Sequence, residues 1–316
     1  MRKILPGLAG LLVVVGFALW RSGSEPLAAP APLAPQRWPQ AKPPAGMKMF
    51  HLLTGTIART AAFAYVGGSS DDKRVFAMSA LLVKHPAGDL LIDTGFGRDI
   101  GAKLQLMPWL FRAITKIQRR RSAAEQLTAA SYDLGRLRAV VLTHAHWDHA
   151  AALSDFARTP VWVTVAERKF IQEGGVPTVV ARSARDVHYE TYEFREAPYL
   201  AFARSYDVYG DGSVVIVPAP GHTPGSVIIF VALPSGTRYA LVGDLVWQLE
   251  GLTQRRQRPL LARTMIDDDA EATRAVIQQM SAIVQRFPDL KVIPAHDLRA
   301  YSSLPTLTNS GAPQPL

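Results

Sequence analysis

The stretch THAHWDH at residues 143–149 places three histidines and one aspartate within six positions. It directly follows an apolar run, residues 137–142, which predicts a buried strand. Imidazole and carboxylate groups are costly to bury without partners, and both are good zinc ligands. The stretch therefore predicts a metal site in a loop at a strand end, and not a histidine-rich surface tract.

The polar residues of this stretch divide between two directions. His144 and His146 alternate along an extended loop, so their side chains can point the same way, whereas Asp148 and His149 turn towards a second point. Four donors from one loop would crowd a single ion, so we expect further donors elsewhere in the chain. The candidates are His222, Asp244 and His296.

Short apolar runs and turn signals predict the elements around these positions. The predicted strands are residues 77–84, 90–92, 137–142, 161–165, 214–218, 226–231, 239–242 and 290–293. Helices are expected at residues 166–173 and 267–287, and three aspartates at the start of the second suit the positive end of a helix dipole. Each group of candidate ligands then lies in a loop beside a strand, where rigid sheets commonly hold functional side chains.

Together these motifs resemble the metallo-β-lactamase superfamily over roughly residues 50–300. The matching motifs are His-x-His-x-Asp-His at 144–149, Gly-His-Thr-Pro-Gly at 221–225, Gly-Asp at 243–244, Pro-Ala-His at 294–296 and an early Asp-Thr-Gly turn at 93–95. The resemblance implies an α/β fold, the four-layer αββα sandwich, in which two mixed sheets face each other with helices outside.

The resemblance also implies a pair of zinc ions as cofactor. The implied ligands are His144, His146 and His222 for one ion, Asp148, His149 and His296 for the other, and Asp244 as a bridge between them. Asp148 would in addition be catalytic, because its carboxylate is placed to orient the nucleophile or to carry a proton. Zinc is favoured over iron, since iron-binding relatives in this superfamily carry Glu where His146 stands.

A bridging aspartate resembles N-acyl homoserine lactonases and glyoxalase II-like thioesterases, and the 22-residue step from His222 to Asp244 is closest to the lactonases. The implied activity is hydrolysis of a lactone or other carboxylic ester by a hydroxide that the metals hold. Thioesters, β-lactams and phospho- or sulfo-esters stay open as substrates, as does a mononuclear iron sulfur dioxygenase. A non-enzymatic, metal-stabilised scaffold is disfavoured.

Trp247 departs from the lactonase pattern, which has Tyr three residues after the bridging aspartate. An indole can donate a hydrogen bond, but it cannot act as a phenol does. We interpret Trp247 as an apolar wall of the substrate pocket that carries one N–H donor. The alternative is that Trp247 packs in the core.

The beginning of the sequence predicts a targeting segment at residues 1–21. Two basic residues precede an uncharged run at 4–20, which is typical of an export signal or a membrane anchor. An uncleaved anchor is favoured, and the two basic residues place the N-terminus on the cytoplasmic side of the membrane. The rest is then expected to be periplasmic or otherwise extracytoplasmic, anchored to the cytoplasmic membrane, or secreted if the signal is cleaved. Residues 22–46, rich in Pro and Ala, predict an extended tether, and 47–316 the hydrolase domain.

Composition narrows the class of partner. The 316 residues contain 35 Lys and Arg against 26 Asp and Glu, but the basic residues are mostly scattered, so we expect a small-molecule substrate and no nucleic acid. The chain has no cysteine, which excludes disulfides and thiolate ligands. Residues 107–121 combine aromatic and basic side chains. This stretch predicts a solvated helix face, with contact to anionic lipid or a lid over the site as alternatives.

Overall fold

The computed structural model describes residues 25–34 and 36–307. The predicted signal or anchor at 1–21 lies outside these residues. Within the described ranges, no helix has the length and apolar character that crossing a membrane requires.

Two mixed β-sheets face each other. The first contains β1 (Lys48–Thr60), β2 (Lys73–Lys84), β3 (Asp89–Ile92), β4 (Ile117–Arg119), β5 (Leu137–Val141), β6 (Val161–Thr164) and β7 (Tyr189–Tyr192), in the order β4-β1-β2-β3-β5-β6-β7. The second contains β8 (Tyr206–Asp207), β9 (Val214–Pro218), β10 (Val227–Ala232), β11 (Arg238–Gly243) and β12 (Lys291–Pro294), in the order β12-β11-β10-β9-β8. The pairs from β3 through β7 and the pair β11–β12 are parallel, and the others are antiparallel.

Helices cover the outer faces of both sheets. Those in the described residues are α1 (Ala61–Ala64), α2 (Ile100–Leu104), α3 (Trp109–Ile114), α4 (Ala123–Ala129), α5 (Val165–Glu173), α6 (Val179–Ser183), α7 (Glu250–Thr253), α8 (Leu260–Ile266) and α9 (Ala270–Arg286). Along β10, Ile229 faces the core between the sheets, while Ile228 and Phe230 face the side covered by α9. Side chains along β10 therefore alternate between two buried faces, one towards the other sheet and one towards a helix. This arrangement gives the four layers that the family resemblance implies.

The strands and helices predicted at the ligand loops are confirmed within a few residues, but the edge of the first sheet differs from expectation. β1 carries no clear signal of its own, and the predicted helix face at 107–121 divides into α3 and the short strand β4. β4 pairs with β1 beside Gly55, where an added Cβ would lie 2.8 Å from the carbonyl oxygen of Gln118. Glycine at that position therefore permits the close approach of the two backbones.

The segment that precedes β1 lies against the domain. The backbone N–H of Leu27 donates to the oxygen of Arg255 at 2.8 Å, and Arg255 Nε donates back to Leu27 at 3.0 Å. Trp38 stacks on Phe287 with ring centroids 4.0 Å apart, and the guanidinium of Arg238 lies over Trp38. This differs from the free tether that the Pro and Ala content predicts, because an extended backbone leaves its carbonyls open to side-chain donors. The boundary at residues 46 and 47 stays a prediction.

Candidate metal centre

Strand ends from both sheets bring the predicted ligands together. The loop 143–149 follows β5, Asp244 follows β11, His296 follows β12, and His222 lies in the loop between β9 and β10. All seven side chains are buried, with exposed fractions from 1% for His144 to 9% for Asp148. Parallel strands direct their carboxyl ends to one edge of a sheet, which is where ligands bind in α/β folds.

The seven residues form three overlapping groups whose potential ligand atoms lie within 4.8 Å of one another. The groups are His144 with His146 and His222, His144 with His149 and Asp244, and Asp148 with His149 and His296. Two of the groups contain the ligand sets that the family resemblance implies, and the third joins Asp244 to one histidine of each set.

The carboxylate of Asp244 reaches both sets. Its Oδ1 lies 3.3 Å from Nε2 of His149, and its Oδ2 lies 3.6 Å from Nε2 of His222. Both oxygens lie 3.1 Å from Nε2 of His296. Asp148 closes the second set, with its Oδ2 at 3.3 Å from Nε2 of His296. A single carboxylate between two histidine sets is an arrangement that can bridge two cations.

The donor atoms of this cluster fit a metal. Nε2 of His144 and Nε2 of His222 approach to 3.2 Å, and Nε2 of His146, Nε2 of His149 and Oδ1 of Asp244 are buried with no hydrogen-bond partner. Buried polar atoms without partners are rare and costly. Bound cations would satisfy all of them together, and a set of imidazole and carboxylate donors without thiolate suits zinc.

Comparison with known proteins agrees with this geometry. The model of the metallo-β-lactamase superfamily matches residues 74–296, which include every predicted ligand. The chain belongs to the metallo-β-lactamase superfamily. The predicted resemblance is confirmed, and the protein is a metal-dependent hydrolase of this superfamily.

Relatives of this superfamily member include hydrolases and lactonases. A probable metallo-hydrolase from Mycobacterium tuberculosis is 29% identical over 288 residues, covering 83% of this chain and 84% of its own. The N-acyl homoserine lactonase AttM from Agrobacterium fabrum is 24% identical over 243 residues, covering 70% of this chain and 82% of its own.

Solved structures share the fold. An N-acyl homoserine lactone hydrolase with N-hexanoyl-L-homoserine at its catalytic metal center has a TM-score of 0.64 and 17% identity, covering 85% of this chain and 98% of that one. The dizinc quorum-quenching lactonase AidC has a TM-score of 0.54 and 15% identity, covering 83% of this chain and 90% of its own.

Asp93 positions one side of the site. It accepts hydrogen bonds from the backbone N–H of Thr143 at 2.7 Å, from the Thr143 hydroxyl at 2.8 Å and from Nδ1 of His149 at 2.8 Å. The predicted Asp-Thr-Gly turn thus fixes both the start of the ligand loop and the orientation of one imidazole. Because this carboxylate contacts Nδ1, Nε2 is the ring nitrogen of His149 that remains free to bind a metal.

Asp267 plays the same part for His222. Its Oδ1 accepts from Nδ1 of His222 at 2.8 Å and lies 3.1 Å from the guanidinium of Arg258, which also donates to the backbone oxygen of Asp244. The sequence interpretation takes Asp267 only as part of the acidic start of a helix. Asp269 performs that capping in the structure, accepting from two backbone N–H groups of α9.

Glu167 joins the two ligand loops, although no sequence motif identifies it. Its carboxylate accepts from the backbone N–H of Ala145 at 2.6 Å, the hydroxyl of Thr223 at 2.7 Å and the backbone N–H of Gly225 at 3.0 Å. Burial raises the pKa of Glu167 to about 7. Its only sequence signal is a position three residues after Thr164, which caps α5, and nothing in that local pattern indicates a buried carboxylate.

Electrostatics prepare the ligands for a cation. Burial lowers the pKa of His144 and of His146 well below the usual range, so both are neutral, as metal binding requires. Burial opposes a charge on His149, but the surrounding carboxylates outweigh it and raise its pKa. Burial also opposes ionisation of Asp244, yet His296 and His149 hold its pKa well below the ordinary value. The Asp244 carboxylate is therefore ionised, and a cation that binds beside it would displace the proton of His149.

Trp247 is where the structure departs from the predicted substrate contact. The side chain is 6% exposed, stacks on Phe63 at 5.2 Å and meets Phe76 edge-on at 5.8 Å. Its N–H donates to Oδ2 of Asp244 at 2.8 Å. The donor that we expected to face substrate is therefore occupied, and the alternative of core packing describes this residue better.

Proposed function

We propose that the protein is a binuclear zinc hydrolase that opens lactones or related carboxylic esters. The observation that carries this proposal is the position of Asp244, whose carboxylate lies within 3.6 Å of histidines from both sets. The lactonase relatives and the dizinc lactonase of the same fold support the choice of metal and substrate class.

The ligand assignment follows from the contacts. His144, His146 and His222 would hold one ion, Asp148, His149 and His296 the other, and Asp244 both. Ions bound there would supply Lewis acidity and lower the pKa of a bound water. Asp93 and Asp267 keep His149 and His222 in fixed tautomers, so the donors need no reorganisation during the reaction.

Asp148 is the proposed proton carrier. It is the most exposed of the seven residues, at 9%. Its Oδ2 lies 3.3 Å from Nε2 of His296. A carboxylate at the mouth of a buried site can take the proton of the attacking water at one oxygen and deliver it to the leaving alkoxide. This double use of one group fits ring opening, in which the leaving oxygen stays attached to the product.

The test is elemental analysis of the purified full chain, followed by hydrolysis assays. We expect about two zinc ions per chain, because seven ligands are too many for one tetrahedral site. We expect N-acyl homoserine lactones or simple aryl esters to have the highest kcat/KM in a panel that also holds thioesters, β-lactams and phosphotriesters. One iron without zinc would overturn the metal assignment, and a preference for thioester or β-lactam would overturn the substrate class.

A further inference from the structure

Exposed apolar side chains are concentrated beside the metal centre. Of the twelve large hydrophobic side chains that are exposed in the described residues, eight lie in or next to α1, α3 and α8. These eight, which we name the apolar rim, are Phe63, Leu106, Trp109, Leu110, Ile114, Leu260, Leu261 and Met265. Contiguous exposed apolar surface marks interaction sites, whereas single exposed residues need no explanation.

The helices of the apolar rim surround the ligand loops. Phe111 of α3 meets Trp147 of the loop 143–149 edge-on at 5.3 Å. Phe63 of α1 stacks on Trp247, and Ile266 of α8 belongs to the same hydrophobic cluster as both tryptophans. Each of the three helices therefore turns one side towards the site and leaves its other side chains in solvent.

The excess of positive charge lies largely in the segment that contains α3. Residues 98–121 contain seven basic residues and one acidic residue, whereas residues 254–269, around α8, contain four basic and three acidic residues, with Arg258 paired to Asp267. The chain has 35 basic and 26 acidic residues, so the residues outside 98–121 have 28 and 25. Several of these cations, among them Arg112, Lys116 and Arg120, are exposed.

The N-terminal segment reaches the domain beside the apolar rim. Leu27 is paired through two hydrogen bonds with Arg255, which lies five residues before the start of α8 at Leu260. The uncharged run at residues 4–20 precedes this point in the sequence. The described chain therefore begins near Arg255, in the loop that leads to α8.

We propose that the apolar rim docks on an anionic bilayer, so that the mouth of the site faces the lipid surface. Trp109, Leu110 and Leu261 would lie among the upper acyl chains, while Arg112 and Lys116 contact the headgroups. A second copy of the chain is the poorer occupant, because a two-fold contact would place two strongly positive surfaces against each other. The proposal concerns docking alone and holds whichever ester the site hydrolyses.

Single cysteines test this docking, because the chain has none of its own. The full chain carrying Leu110→Cys, Leu261→Cys or Leu134→Cys is labelled with a polarity-sensitive fluorophore. Leu134 is the matched control: it is also exposed, at 38%, but lies outside the rim. Each protein is reconstituted into vesicles of phosphatidylcholine alone or of phosphatidylcholine with phosphatidylglycerol, at low and at high salt.

We expect a blue shift for Leu110→Cys and Leu261→Cys that is larger in phosphatidylglycerol vesicles and reduced by salt, with no shift for Leu134→Cys. An emission maximum equal to that in water, at both rim positions and in both kinds of vesicle, would overturn the proposal. So would a shift that appears without vesicles and grows with protein concentration, since that result identifies a second copy as the occupant. Circular dichroism of each labelled protein verifies that it is folded.

Discussion

The indole N–H of Trp247 donates to Oδ2 of Asp244 at 2.8 Å, while Oδ1 of the same carboxylate lies 3.3 Å from Nε2 of His149. A neutral donor thus fixes one oxygen of the residue that faces both histidine sets. Arg258 lies over the same indole, with 5.0 Å from its guanidinium carbon to the ring centroid. Trp247 therefore orients the carboxylate at the centre of the site.

Replacing Trp247 with Phe is expected to lower stability and metal affinity together. The variant keeps an aromatic ring for Phe63 to stack on, but Asp244 loses a hydrogen bond to a charged group, which contributes about 1.5–3 kcal/mol. Melting temperature and zinc content measure the two effects. Trp162→Phe is the control, since that indole donates to Glu190 in an exposed hydrogen bond and its loss should have little effect.

The opposite result would restore the interpretation of Trp247 as a substrate contact. An unchanged melting temperature and zinc content with a changed KM in Trp247→Phe would mean that the N–H serves the substrate. The hydrogen bond to Asp244 would then not exist in the working enzyme.

Asp267→Asn is expected to weaken metal binding roughly 10- to 100-fold, the usual effect of losing the carboxylate behind a ligating histidine. Asp267 accepts from Nδ1 of His222, so the amide would no longer fix that tautomer. Zinc affinity measured by competition with a chelator reports the change. Asp268→Asn, one residue along and exposed, is the matched control and should bind zinc as the wild type does.

Asp244→Asn should lose more metal than His296→Gln. Asp244 faces both histidine sets, whereas His296 belongs to one of them. Without the carboxylate, two cations about 4 Å apart would repel each other with less negative charge between them. Elemental analysis of both variants makes the comparison, and two zinc ions retained in Asp244→Asn would argue against a bridging role.

Sequence motifs locate the residues that the structure brings together, but not the residues that support them, for a physical reason. Ligating His and Asp residues occur in dense local motifs at strand ends, so His144 and His222 can be recognised from their neighbours alone. Glu167 and Arg258 act through contacts between segments distant in sequence, and their local surroundings resemble ordinary helix and loop. Trp247 lies beside Asp244, near the candidate ligands as its sequence position predicts, but which atom its N–H contacts depends on side-chain packing that no local pattern encodes.

Glu167 gives the protein a dependence on pH that Glu167→Gln should remove. A carboxyl whose pKa is raised in the folded state binds its proton more tightly there than in the unfolded chain. The free energy of unfolding therefore falls as pH rises from the ordinary value of 4.5 to about 7 and is level above it. A pKa shift of that size corresponds to a change of about 3 kcal/mol in the free energy of unfolding.

The measurement is denaturant unfolding of both proteins in chelator at pH 5 and pH 8. The wild type should lose roughly 3 kcal/mol relative to Glu167→Gln between these values, since other titrating groups cancel in the difference. A constant offset between the two proteins would show only lost hydrogen bonds, and the carboxyl would then have an ordinary pKa.

The N-terminal segment is expected to stabilise the domain and not merely to tether it. Leu27 is buried, and Trp38 lies between the ring of Phe287 and the guanidinium of Arg238. Burial of these two side chains contributes roughly 2–4 kcal/mol. A chain that begins at residue 45 should therefore melt several degrees below one that begins at residue 25 while keeping its zinc, because the ligand loops are elsewhere.

Trp38→Ala should reproduce part of the loss in melting temperature, whereas Trp109→Ala, which truncates a side chain that is 72% exposed, should not. Equal melting temperatures of the two truncated chains would mean that the segment is free in solution, as its composition predicts.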